Sequence, residues 1–285
     1  MQTAWTPYLD LDSVLRELLA GVQTTLGANF TGMYLQGSFA LGDADQDSDV
    51  DFIVVVKQDL SADEVAALQT LHKRIFALES SWAQHLEGSY FPKAILRRQP
   101  RGDSRRWEIG GAQGNTPLWW LDNGASSLTL ADHCDTLVVR WTLRERGIIL
   151  AGPDPKTLID PVPTDALRLE ALTAIRGRSQ DELANADNPM YNNRWSQSYT
   201  VLQFCRVLHD LHIGHPGSKP AGAAWAKAHL DPRWAGLIDR AWAGRPLPEL
   251  AIHQPADPAD LQATLELVRV IRDEAEAFAR ANGLA

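Results

Sequence analysis

Apolar residues at Val14, Leu15, Leu18, Leu19, Val22 and Leu26 recur every three to four positions, which predicts a helix over 12–26. Segment 29–36 is short and apolar and runs into Gly37-Ser38. The run DFIVVV over 51–56 is dense and β-branched, the pattern of a buried strand. A second helix follows: Ser61 with Glu64 makes a capping box, and Val65, Leu68, Leu71, Ile75, Leu78 and Trp82 keep helical spacing. Segment 87–96 (EGSYFPKAIL) reads as a strand, with Pro92 fitting an edge or a bulge. Residues 97–115, with five arginines and a GGAQG run, read as a long loop, and 128–146 as a helix stopped by Gly147.

The stretch 152–163 (GPDPKTLIDPVP) holds four prolines and reads as a linker. Beyond it the periodicity is helical throughout, over 167–175, 195–211, 221–230, 234–242 and 261–278, the last with Asp257 as N-cap and Pro258 at its first position. The expected architecture is an α/β N-terminal domain, a mixed sheet with flanking helices, over 1–155, and an all-α C-terminal bundle over 156–285.

Composition narrows the function classes. The chain has 285 residues, 45% of them hydrophobic and 22% charged, ordinary for a globular protein. Its net charge of −9 argues against coating nucleic acid, where Lys and Arg meet phosphate, and suits a cationic small molecule. The two cysteines, Cys134 and Cys205, form neither a disulfide framework nor a cysteine zinc site. No signal peptide and no run of about 18 apolar residues stands out, so a cytoplasmic protein without a membrane span is expected, and a monomer.

The chemistry concentrates in residues 33–56, MYLQGSFALGDADQDSDVDFIVVV. A strand runs into Gly37-Ser38, a spacer of ten residues follows, and Asp49-Val50-Asp51 opens the next strand. Alternation puts Asp49 and Asp51 on one strand face, where two carboxylates repel unless a divalent cation lies between them. Mg²⁺ favours carboxylate oxygen together with substrate phosphate. Gly37 permits a tight turn, and Ser38 with the amides after it offers donors to phosphate oxygens. These parts describe a phosphoryl- or nucleotidyl-transfer site.

The string resembles the nucleotidyltransferase superfamily that includes DNA polymerase β and the antibiotic nucleotidyltransferases. The whole chain is similar to the aminoglycoside 3″/9-adenylyltransferases. The match is carried by the Gly-Ser…Asp-x-Asp string, by LAGPDPKTLIDPVP over 150–163, and by TVLQFCRVLHDLHIGHPGSKPAGAAWAKAHL over 200–230 with Arg206, Lys219 and Trp225 in register.

The resemblance implies AMP transfer from ATP, with Mg²⁺, to a hydroxyl of a small cationic acceptor of aminoglycoside type. It implies metal binding by Asp49, Asp51 and a third carboxylate, assigned to Glu87, which would also act as general base. Glu108 and Asp122 compete for that role. Phosphate contacts fall to Gly37, Ser38, Ser48 and Lys219, the last reaching across a cleft from the helical domain. Trp242 lies near the position of an aromatic that packs by the nucleotide. The chain departs from the streptomycin-modifying members at Ser196, where they carry an aspartate. Two other readings are a nucleotidyltransferase acting on a protein and a non-enzymatic nucleotide-binding module. His209, His212 and His215 have metal-like spacing, but no fourth ligand is evident and Gly214 breaks the helix. The arginines of 97–106 read as a solvated loop.

Overall fold

The structure is a computed structural model that describes residues 4–98, 107–108, 111–112, 116–188, 191–245 and 251–284. The chain divides into two compact units, one carrying the sheet and the other the C-terminal helices from Pro163 onward.

The sheet has six strands, β1 (Phe30–Leu35), β2 (Val50–Val56), β3 (Leu86–Pro92), β6 (Leu118–Leu121), β7 (Leu128–Ala131) and β8 (Ile148–Ala151), in the order β7-β6-β3-β2-β1-β8. Only β2 and β3 pair in parallel; every other pairing is antiparallel. Parallel neighbours need a crossover, and here it is the helix α3 (Ala62–Phe76). Its capping box forms as expected: the Ser61 hydroxyl accepts from Glu64 N, and the Glu64 carboxylate accepts from Ser61 N at 2.7 Å. With α1 (Leu9–Leu26), α3 covers one face of the sheet, burying Leu15, Leu18, Leu68 and Ile75 against Phe52, Val54 and Tyr90. The alternate residues of the same strands, Ile53, Val55 and Phe91, pack against Leu96, Val139 and Leu143 on the other face. β2 is therefore buried on both sides, which is why its sequence shows no polar alternation after Asp51.

Three expectations are corrected. Segment 87–96 is not one strand: β3 ends at Pro92, and α4 (Lys93–Arg97) follows. β3 is also interior rather than an edge, and Pro92 is tolerated because the missing N–H falls at the strand's last residue. Segment 128–146 is not one helix: Leu128–Ala131 is strand β7, and α5 (Leu137–Arg146) begins after Thr136, whose hydroxyl caps it by accepting from Val139 N at 3.1 Å. Within the expected loop 97–115, Trp107–Glu108 (β4) and Gly111–Ala112 (β5) form a two-stranded ribbon; residues 99–106, 109–110 and 113–115 lie outside the described residues.

The second unit holds α6 (Thr164–Ala184), α7 (Arg194–Ile213), α8 (Lys219–His229), α9 (Ala235–Ala243) and the C-terminal helix Pro258–Asn282. They share a core built on Leu172, Phe204, Leu208, Ile238 and Ile271. Asp257 caps the last helix as expected, accepting from Ala259 N and Asp260 N with Pro258 in the first turn. The boundary between the units falls between Val162 and Pro163, at the end of the proline-rich stretch 152–163.

Candidate active site

Asp51 is the second residue of β2 and Glu87 the second residue of β3, and the parallel register sets them directly opposite each other. Gly37 closes this end of the sheet. It follows β1, takes φ of +59°, and comes so near Asp51 that a Cβ placed on it would lie 1.9 Å from Asp51 Oδ2. Only a glycine permits both the left-handed backbone and the contact. The backbone locks the arrangement, since Gln36 N donates to Asp51 O at 2.9 Å.

Ser38 is the second residue of the short helix α2 (Gly37–Leu41). The Gly37 amide there donates to Gln36 Oε1 at 2.9 Å. Ser48 is buried and occupied with its own turn: its hydroxyl donates to Asp45 Oδ1 at 3.0 Å and accepts from Asp45 N at 2.9 Å. Its evident work is to shape the acidic turn that delivers Asp49.

Three site residues were not foreseen in a role. Asn123 Nδ2 donates to Asp49 Oδ1 at 2.6 Å and so orients that carboxylate. His133 places Nε2 at 3.2 Å from Glu87 Oε1. The Glu87 carboxylate holds the His133 imidazole above its ordinary pKa, with Asp51 and Asp122 adding to the same effect against desolvation. Asp122, weighed only as a competitor of Glu87, is instead its neighbour: burial and then the Glu87 charge push its carboxyl upward. Thr136 is the sequence signal that could have placed His133 in a turn, because a Thr just before an apolar helical run marks an N-cap.

The acidic group suits a hard divalent cation in part. Among the described residues, no three His, Cys, Asp or Glu side chains are already gathered as a metal site. Mg²⁺ needs less than a cage: it takes one or two carboxylates and completes its shell with water and substrate phosphate. Asp49 and Asp51 are residues that could supply such a donor set, while the Glu87 carboxylate lies 3.2 Å from His133 Nε2.

In the helical unit, Lys219 opens α8 directly after its N-cap Ser218, and its Nζ lies 5.7 Å from the centre of the Tyr199 ring. Ser196 is buried in the first turn of α7, its amide donating to Asn193 Oδ1 at 2.8 Å. Trp242 packs against the helical core and under Arg245. The side chain of Glu108 lies outside what the structure describes.

Residues 15–101 match the nucleotidyltransferase domain family, and residues 157–247 match the C-terminal domain of aminoglycoside adenylyltransferase. The chain is an aminoglycoside adenylyltransferase-like nucleotidyltransferase. The fold of this transferase is also that of the spectinomycin adenyltransferase AAD(9) from Enterococcus faecialis, solved with ATP and spectinomycin: the TM-score is 0.62 at 12% identity, over 93% of this chain and 98% of that one. No curated protein matches the sequence. Among the described residues, no helix of the transferase is long and apolar enough to cross a membrane.

Proposed function

We propose that the enzyme transfers AMP from ATP to a hydroxyl of a small cationic acceptor of the aminoglycoside type. The observation that carries this reading is the facing pair Asp51 and Glu87, with Gly37 pressed against the first of them. The solved neighbour of like fold, crystallised with ATP and spectinomycin, supports the choice of nucleotide and of acceptor class.

Each residue has a part that its place suits. Asp49, oriented by Asn123, and Asp51 would hold Mg²⁺. When bound, the ion supplies neutralisation of triphosphate charge. Gly37 and Ser38 bring backbone close to where phosphates would lie, since no side chain stands at Gly37. Lys219, at the first position of its helix, is a phosphate-binding residue in this reading. Glu87 takes the acceptor's proton as its oxygen attacks the α-phosphorus, and pyrophosphate leaves in line. The neighbouring carboxylates of Glu87 and Asp122 favour a cationic acceptor.

The test is to incubate the enzyme with ATP, Mg²⁺ and each of a panel of aminoglycosides, following pyrophosphate release and the gain of one AMP in drug mass. Spectinomycin is expected to be modified. Streptomycin should be a poorer acceptor, because Ser196 offers no carboxylate to a guanidinium. Absence of pyrophosphate above background with every drug, at native circular dichroism, overturns the acceptor class.

A further inference from the structure

A glutamate at the start of a strand has three side-chain torsions to fix, and ordering them costs conformational entropy. Glu87 is only 15% exposed, and what meets it is an imidazole delivered from a different part of the sheet. His133 lies in the turn between β7 and α5, and its Nε2 is 3.2 Å from Glu87 Oε1.

The imidazole is itself held from two sides. Its ring stacks on Trp120, with centroids 5.1 Å apart and planes 29° apart. The next residue, Cys134, is buried in the apolar layer beneath this sheet face. Trp120 in turn sits on β6 opposite Ser89, two residues along β3 from Glu87 and on the same face. The chain of contacts is closed: β3 places Glu87, β6 places Trp120, Trp120 orients His133, and His133 reaches back to Glu87.

We propose that His133 is the positioning residue of the general base. This rests on the reading of Glu87 as base. The Nε2–H donates to Oε1 and fixes the carboxylate's rotamer, so that Oε2 is presented for the acceptor proton. The competing description is a loose surface ion pair, since His133 is 62% exposed and such pairs contribute little. The indole clamp separates the two descriptions. A stacked ring spends less time in the conformations that weaken a surface pair, and catalysis responds to placement rather than to pair energy.

Three variants test it. His133→Phe keeps a flat ring on Trp120 and removes the donor; His133→Gln restores a donor of similar reach; Glu87→Gln removes the base. His133→Phe should lower kcat by about tenfold to a hundredfold with the KM for ATP unchanged, and His133→Gln should recover most of that loss. Independently of any acceptor, the His133 Nε2 resonance in a long-range nitrogen–proton spectrum should move in Glu87→Gln. If Glu87→Gln retains full turnover, the base reading itself falls. If Glu87→Gln is inactive while His133→Phe turns over like wild type, or His133→Gln is as slow as His133→Phe, the positioning role falls and the base remains. An unmoved His133 resonance in Glu87→Gln would overturn the contact even with no acceptor in hand.

Discussion

Replacing Gly37 with alanine separates the two demands made on that residue. At φ of +59° an alanine is disfavoured by about 1–2 kcal/mol from backbone sterics alone. The added methyl meets Asp51 as well, at 1.9 Å from Oδ2, 2.6 Å from Cγ and 3.0 Å from Cβ. Carbon and oxygen at rest stand roughly 3.5 Å apart, so the carboxylate tip must retreat by about 1.5 Å. The short approach to the Asp51 Cβ means that turning the side chain is not enough, and the start of β2 must give as well. A misplacement of about 1 Å at a reacting centre costs on the order of 10²-fold in rate, or about 3 kcal/mol. Gly42 supplies the control. It has φ of +82° at the end of the same short helix, and a methyl there meets nothing within 4 Å. Gly42→Ala therefore carries the backbone penalty without the collision. In a urea titration both variants should lose stability, Gly37→Ala the more because it adds the collision to the backbone penalty. Only Gly37→Ala should lose pyrophosphate release with ATP, Mg²⁺ and an accepted aminoglycoside, by about a hundredfold. Equal turnover in the two variants would refute the view that Gly37 exists to admit the Asp51 carboxylate.

Two further expectations concern the scaffold. Buried Arg140 donates to the carbonyls of Ile95, Leu96, Arg98 and Thr136 and to Asp135 Oδ1, so Arg140→Met leaves a buried carboxylate and four carbonyls without it; a loss of about 3–5 kcal/mol in urea is expected, and a loss under about 1 kcal/mol would contradict the role. His72, with Nε2 2.8 Å from the Tyr90 hydroxyl, is pushed down to about 4 by burial, so between pH 6.5 and 4 the unfolded chain binds the proton that the folded chain refuses. Its contribution is thus complete above pH 6.5 and is lost as pH falls toward 4, to the order of 3 kcal/mol, and His72→Gln should flatten the stability–pH curve in that window.

What the sequence made legible follows from how local each signal is. The capping box of α3 and the Asp257-Pro258 start of the last helix are contacts within three residues, and both form as read. β2 announces itself by being buried on both faces. β7, by contrast, has four residues with two of them exposed, and Leu128 and the apolar residues of α5 chance to fall at helical spacing, so strand and helix merged into one pattern. α4 was hidden because Tyr90 and Phe91 lead to Ala94, Ile95 and Leu96 with only Pro92 and Lys93 between them; the missing N–H of Pro92 ends the ladder there, a consequence of pairing on both sides that only the sheet order reveals.

The same distinction explains which site residues could be found. Asp51 is the second residue of β2, Asp49 stands just before that strand, and Gly37 is one spacer away. Glu87 lies 36 positions from Asp51, yet a simple rule reaches it. A strand, a crossover helix and a second parallel strand start from the same end of the sheet, and the register here brings the second residue of β3 level with the second residue of β2. An acid opening the next strand is thereby placed at the same end of the sheet as an acid opening the first. Asn123 and His133 obey no such rule. They arrive on turns after antiparallel strands, and where a turn meets the site depends on strand lengths set by pairing. Even so, both contact acids of the site, Asn123 on Asp49 before β2 and His133 on Glu87 in β3. The parallel pair fixes where the carboxylates stand, and the antiparallel edge fixes which way they point.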